Sequence, residues 1–346
     1  MGVPWMDNKI TMAHGSGGLL AHELVEQVFI KHLGNPTLSA LEDASNIELA
    51  DARGQLLGQP VMTTDSYVVS PIFFPGGDIG RLSICGTVND LSMRGARPLY
   101  LTAGFVLQEG LPLEELERVV ASMAATAQEA GVRIVAGDTK VVERGSADKL
   151  FINTAGIGLV PPGVQVSASR ARPGDVVLLS GTVGDHGLAI MTQREGLRFT
   201  SPIRSDCAPL NGLVADMLAT CPDIHVLRDP TRGGLATTLN ELADQSAVGI
   251  AVDERSVPIH ESVRAASELL GLDPLYVANE GKLIAIVATD DAERVLAAMR
   301  QHPLGREAAR IGRIVEEHPR RVVLNTILGT HRLLDMLTGE QLPRIC

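Results

Sequence analysis

Apolar positions along the chain switch between two periods. In residues 16–33, Leu20, Leu24 and Val28 recur every fourth position with Val25 and Phe29 beside them, which predicts a helix stopped before Pro36. Short apolar runs at 47–50 and 61–64 predict strands. Helical patterns cover 78–94 and 113–130, the second with Gly131 placed to cap it. Strand-like runs at 99–107, 132–136 and 151–160 complete a first α+β block. Pro161-Pro162-Gly163 and Arg172-Pro173-Gly174-Asp175 are the strongest turn signals, and the domain boundary is placed between them. The second α+β block opens on Val176–Leu179, apolar at every position and therefore a buried strand. Helical patterns follow near 185–194, 234–246, 260–270 and 291–300, with strand-like runs at 250–252, 283–288 and 322–324. A last helical pattern spans about 331–338, and Gly339 ends it. The expected architecture is a two-domain α/β (α+β) chain. It has an N-terminal segment (1–35), a first domain (36–162), a second domain (163–339) and a flexible tail (340–346).

Composition narrows what such a chain can do. With 41 acidic and 30 basic residues among 346, the net charge is −11, which argues against nucleic acid as the main partner. A small anion held through a metal ion or backbone N–H groups stays possible. A hydrophobic fraction of 45% excludes a mainly disordered chain. No window reaches the ~20 apolar residues of a membrane span. The first residues lack the basic and apolar regions of a signal peptide. Cys85, Cys207, Cys221 and Cys346 form no CxxC pair. A cytoplasmic location with reduced thiols is the expectation.

The chemistry-bearing positions include neither a P-loop nor a Rossmann turn. Aspartates instead recur at strand ends and in small-residue turns: Asp43, Asp65, Asp90, Asp138 and Asp229. Such oxygen ligands suit Mg²⁺, which bridges a few carboxylates to phosphates. An aspartate in a turn is as often a cap as a ligand. Asp90 differs, because it interrupts an apolar helical pattern in which Asp is a poor helix former. His14-Gly15-Ser16-Gly17-Gly18 precedes the first helix and would let backbone approach an anion at the helix N-terminus. Lys140 and Glu280 are the candidates for proton chemistry, although on local sequence a solvated charge at a strand end is the commoner state. Cys346 ends a seven-residue tail that reaches roughly 24 Å when extended, so it can carry a thiol between sites. The other three cysteines sit in apolar or turn contexts and read as buried, inert thiols.

Several motifs occur in order: His14-Gly15-Ser16-Gly17-Gly18, Thr64-Asp65-Ser66-Tyr67, Gly86-Thr87-Val88-Asn89-Asp90-Leu91, Gly137-Asp138-Thr139-Lys140 and Asp229-Pro230-Thr231-Arg232-Gly233-Gly234. Asn279-Glu280-Gly281 and a terminal Pro343-Arg344-Ile345-Cys346 follow. Together they resemble the HypE family of hydrogenase maturation proteins, within the aminoimidazole-ribonucleotide-synthetase-like superfamily. The resemblance covers essentially the whole chain, and the terminal Pro-Arg-Ile-Cys is its most specific part. It implies a PurM-like fold of two α/β domains, paired as a homodimer through the N-terminal sheets, with ATP near the interface. It also implies an activity: a carbamoyl group received on Cys346 from the carbamoyltransferase HypF is dehydrated with ATP and Mg²⁺ to a thiocyanate. The cyanide then passes to iron on a HypC–HypD complex. By the same resemblance, Asp43, Asp90 and Asp229 are metal ligands. Asp65, Asp90, Gly137, Asp138 and Thr139 contact the nucleotide. His14, Gly15, Gly17 and Gly18 cover its phosphates, and Lys140 and Glu280 flank Cys346 to handle the proton. Two other readings remain open: an ATP-dependent synthase of the selenophosphate or purine type, and a non-catalytic ATP-binding scaffold. A carrier thiol must be exposed for loading and enclosed for dehydration, so the tail is expected to hold two positions.

Overall fold

The computed structural model describes residues 9–16, 18–41, 44–197, 203–337 and 345. The first half of the chain supplies α1 (Leu19–Leu24), β1 (Gln59–Tyr67), α2 (Ile79–Met93), β2 (Arg97–Gln108), α3 (Leu113–Ala130), β3 (Arg133–Val142) and β4 (Leu150–Val160). Its sheet runs β1-β4-β2-β3. The β1/β4 and β4/β2 pairs are antiparallel, and β2/β3 is parallel. The parallel pair requires a crossover, which α3 provides. Gly131, at φ 68°, ends α3 in the left-handed conformation that glycine tolerates best. One sheet face packs against the α2–α3 layer. The other is open, and Met62 on β1 is 70% exposed there.

The second half supplies β5 (Val176–Leu179), α4 (Asp185–Arg194), α5 (Asn211–Thr220), β6 (Val226–Arg228), α6 (Gly234–Ser246), β7 (Gly249–Asp253), α7 (Glu261–Leu270) and β8 (Ile284–Val287). It ends with α8 (Thr289–Gln301), β9 (Ala309–Val315), β10 (Arg321–Asn325) and β11 (His331–Leu333). The sheet order is β11-β10-β7-β9-β5-β8-β6. Alternate residues of β5 serve different cores. Val177 and Leu179 join Leu235, Leu239 and Leu242 of α6, whereas Val176 and Leu178 join Leu213 and Met217 of α5 and Val295 and Met299 of α8. With helices on both faces, the central strands are apolar at every position.

α2 ties the halves together. All of its fifteen residues except Arg81 and Asp90 are buried. Such a helix lacks a polar face because it has no solvent side. Tyr67, Thr87 and Thr154 bond one another on its sheet side. On its other side, Asn89 reaches into the second half of the chain, where Nδ2 donates to the carbonyls of Ala208 (3.1 Å) and Glu280 (3.2 Å). Its Oδ1 accepts from the Leu210 N–H at 2.8 Å.

Three local expectations change. Residues 16–33 are helical only from Leu19, and they pass through a π-helical stretch, Val25–Ile30, before Lys31–Leu33. The run at 47–50 forms no strand, only a bridge from Ala50 to Leu56. Residues 331–333 are β11 rather than helix, because Thr326–Thr330 turns the chain back onto β10 and pairs it there. α5 has no counterpart in the sequence reading. Cys85, Cys207 and Cys221 are buried free thiols, as their apolar contexts suggest.

Candidate active site

A cleft of about 650 Å³ lies between the two halves. β1 brings Thr63 and Asp65, the last turn of α2 brings Asp90, the loop after β6 brings Asp229 and Arg232, and the loop before β8 brings Glu280. The Thr63 hydroxyl donates to Asp90 Oδ2 at 2.8 Å, which fixes that carboxylate. Burial raises the Asp90 pKa, and the neighbouring Asp65 charge raises it further. Asp229 rises to about 7, chiefly through burial and then through repulsion from Asp90. A cation between carboxylates that repel one another in this way would relieve the repulsion.

Glu280 is the deepest of the group, at 4% exposure. Burial pushes its pKa well above the usual carboxylate range, and nearby Cys207, Asp229 and Asp206 add to the shift. Its backbone is held at both ends: the N–H donates to Asp206 Oδ1 (3.1 Å), and the carbonyl accepts from Asn89. Gly281 permits the approach, because a Cβ there would lie 1.8 Å from the Asp206 carbonyl oxygen. Asp206 Oδ2 faces Lys282 Nζ at 3.4 Å in a shielded ion pair.

A second cavity, of about 480 Å³, opens beside β3. Leu24, Val25, Phe29, Leu33, Phe105 and Ile134 give it apolar walls. His14, Gly15, Gly137, Asp138, Thr139 and Lys140 supply its polar groups. An apolar slot with a few polar groups fits a flat heterocycle. The His14 ring is 5% exposed, and its Nδ1 accepts the Thr11 N–H at 3.0 Å. Gly15 lets the loop pass against β3, where a Cβ would meet Val141 at 2.9 Å. The π-helical stretch Val25–Ile30 contributes to this cavity, in keeping with the frequent occurrence of such turns at functional sites.

Asp65, Asp90, Asp229 and Glu280 therefore share one cleft, whereas His14, Gly15, Gly137, Asp138, Thr139 and Lys140 share the other cavity. Gly18 is exposed and lines neither. Lys140 and Glu280, expected side by side, line different cavities. Lys140 sits on β3 at an edge of the first sheet, exposed beside Asp138 at 3.4 Å, while Glu280 is enclosed in the second half of the chain. Asp43, Gly17 and Cys346 lie outside the described residues. Among the described residues no three His, Cys, Asp or Glu side chains converge as a metal cage. The Asp90–Asp229 pair still fits Mg²⁺, which takes one or two carboxylates and completes its shell with phosphate oxygens and water. Sequence reasoning missed Thr63, Asn89, Asp206 and Arg232. Asn89 carried a usable signal, since an amide inside a mostly apolar helical pattern must find buried partners.

Residues 47–160 match the family model of the AIR synthase related protein, N-terminal domain, and residues 172–325 match that of the C-terminal domain. The chain is similar to the carbamoyl dehydratase HypE of Azotobacter vinelandii, 57% identical over 340 residues that cover 98% of each chain. It is similar to a crystal structure of hydrogenase maturation protein HypE in complex with ATP, with a TM-score of 0.92 and 55% identity over 97% of this chain and 99% of that one. A solved HypE–HypF complex matches with a TM-score of 0.79 and 51% identity, over 91% of this chain and 99% of the other.

Proposed function

The chain belongs to the HypE family of AIR-synthase-related carbamoyl dehydratases, and from that premise we propose how its cleft performs the reaction. The protein is an ATP-dependent carbamoyl dehydratase of hydrogenase maturation. Cys346 carries the group as a thiocarboxamide. Its amide oxygen attacks the γ-phosphorus of ATP and one N–H proton passes to water, so ADP leaves and an imidate phosphate remains, bonded through its carbon to the sulfur. Loss of the remaining N–H proton and departure of phosphate then give S–C≡N. The sum is thiocarboxamide plus ATP to thiocyanate, ADP and phosphate.

The observation that carries this assignment is the enclosed Glu280. A carboxyl whose proton affinity is raised by burial is a stronger base once ionised than a solvated one, and its backbone is clamped from both sides. Asp90 and Asp229 would hold Mg²⁺, with Asp43 as a third ligand. When bound, the ion offsets charge on the phosphates. Arg232 and Asp65 sit where they can orient the triphosphate. His14, Gly15, Gly137, Asp138 and Thr139, with Lys140 beside them, are assigned to the nucleotide through the second cavity, and Gly17 and Gly18 by the family resemblance alone. Two copies would pair through the open face of the first sheet, which presents Met62 and, in register with Gly104 and Val106, Asp138 and Lys140. HypF is assigned as the carbamoyl donor and a HypC–HypD complex as the cyanide acceptor, in the cytoplasm.

Single-turnover mass spectrometry tests this reading. Carbamoylated protein given Mg²⁺–ATP should lose one water from its C-terminal peptide. Glu280→Gln should accept the carbamoyl group but fail to lose water. Dehydration at the wild-type rate in that variant would remove Glu280 from the chemistry.

A further inference from the structure

Ile345, one residue from the chain end, is 3% exposed and belongs to the same apolar cluster as Phe74, Leu188, Ile190 and Ile203. Neither the cleft nor the second cavity includes it. Its carbonyl lies 3.0 Å from Nε2 of His186, near the start of α4. A carbonyl only accepts, so Nε2 carries the proton. His186 is 0% exposed, and its ring meets Phe74 edge-on with centroids 5.5 Å apart. Its Nδ1 lies 2.8 Å from Ser205 Oγ. With Nε2 protonated in a neutral ring, Nδ1 accepts the Ser205 hydroxyl proton. Ser205 Oγ in turn accepts the Cys207 N–H at 3.1 Å. Burial lowers the proton affinity of His186 and keeps the ring neutral.

Ser205, Asp206 and Cys207 are consecutive. Ser205 grips the imidazole, and Asp206 Oδ1 grips the Glu280 N–H at 3.1 Å. One short segment thus orients both the ring that holds the tail and the assigned proton acceptor. The Ile345 carbonyl is half of the peptide bond leading to Cys346, so its orientation sets where that bond points. When the tail leaves, Nε2–H loses this acceptor inside a buried pocket, which penalises departure.

We propose that His186 is a positioning residue for the terminal thiol: its Nε2–H latches the carbonyl of the 345–346 peptide bond and, with the Ile345 side chain as apolar anchor, holds the tail on the segment that orients Glu280. The latch deepens the reading of Cys346 as carrier. Thiol alkylation reads docking without turnover, so a failed latch leaves that reading standing.

The experiment is alkylation of the full-length protein without nucleotide, followed peptide by peptide by mass spectrometry. His186→Phe keeps an aromatic ring beside Phe74 and removes the donor. It should raise the Cys346 alkylation rate about tenfold while Cys85 and Cys207 stay protected. His186→Gln restores an N–H donor at similar reach and should return the rate to within about threefold of wild type. Should His186→Phe fail to fold, Ser205→Ala replaces it. Without the hydroxyl the ring loses its preference for the Nε2–H tautomer, and the rate should rise about threefold. An unchanged Cys346 rate in the folded variant, or a rise matched at Cys207, overturns the latch.

Discussion

Replacing Asp229 by asparagine separates the cost of the site from its use. In the fold its carboxyl titrates at about 7, against an ordinary value of 3.8, because burial and Asp90 both oppose its charge. Below pH 3.8 the group is protonated folded and unfolded, and the fold keeps its full stability. Between about pH 4 and pH 7 the unfolded chain ionises while the fold retains the proton, and each pH unit removes about 1.4 kcal/mol. Above the folded value the loss levels off, at up to about 4 kcal/mol. Asparagine cannot ionise and escapes this loss. At ~2.1 cal/mol/K per residue, unfolding a chain of this length carries about 0.7 kcal/mol/K, so 4 kcal/mol corresponds to about 6 °C. Without metal or nucleotide, Asp229→Asn should therefore melt above wild type at pH 8, and the gap should close as pH falls toward 4. Saturating Mg²⁺–ATP should narrow the gap at pH 8. Wild type gains about 2.7 kcal/mol at a hundredfold excess over Kd, and the variant gains little. Paired thermal scans from pH 5 to 8 read both effects. A difference flat across that range refutes the electrostatic reasoning, and equal stabilisation by Mg²⁺–ATP refutes Asp229 as a ligand.

Cys346→Ala should abolish carbamoyl loading with unchanged ATP binding, and peptide mass spectrometry would disprove this by finding the label on Cys85, Cys207 or Cys221. Asn89→Ala leaves the Leu210 N–H and the Ala208 and Glu280 carbonyls without their partner, and should cost about 3 kcal/mol, near 4 °C in a melting scan. Gly281→Ala must displace the Asp206 backbone, so dehydration should fall at least about a hundredfold while carbamoyl loading persists; single-turnover rates decide it. Mg²⁺–ATP should slow alkylation of Cys346, and equal rates with and without it would argue against a tail that responds to nucleotide.

The two blocks and their buried central strands were legible because burial on both faces leaves an all-apolar run such as Ile284–Val287. β11 was misread because Leu333, Leu334 and Leu337 imitate helical spacing, and only pairing with β10 decides for strand. The aspartates were visible one at a time, but their grouping was not. Asp90 and Asp229 meet across the cleft at a sequence separation no local pattern encodes. That Lys140 and Glu280 line different cavities of this chain was hidden for the same reason, since a motif reports what a residue is and not which cavity the sheet gives it. Ile345 and His186 are farther apart still, and nothing in the tail composition announces the socket.

The largely buried helix Ile79–Met93 has a consequence for synthesis. Its polar partners, Ala208, Leu210 and Glu280, are translated long after it. Glu280 follows the helix by about 190 residues, roughly 10–40 s at ordinary elongation rates. Over that interval the nascent first domain presents an apolar helix face with no finished wall to meet it. The emerging chain should therefore be sticky until its second half arrives, and the first domain expressed alone should aggregate more readily than the full chain.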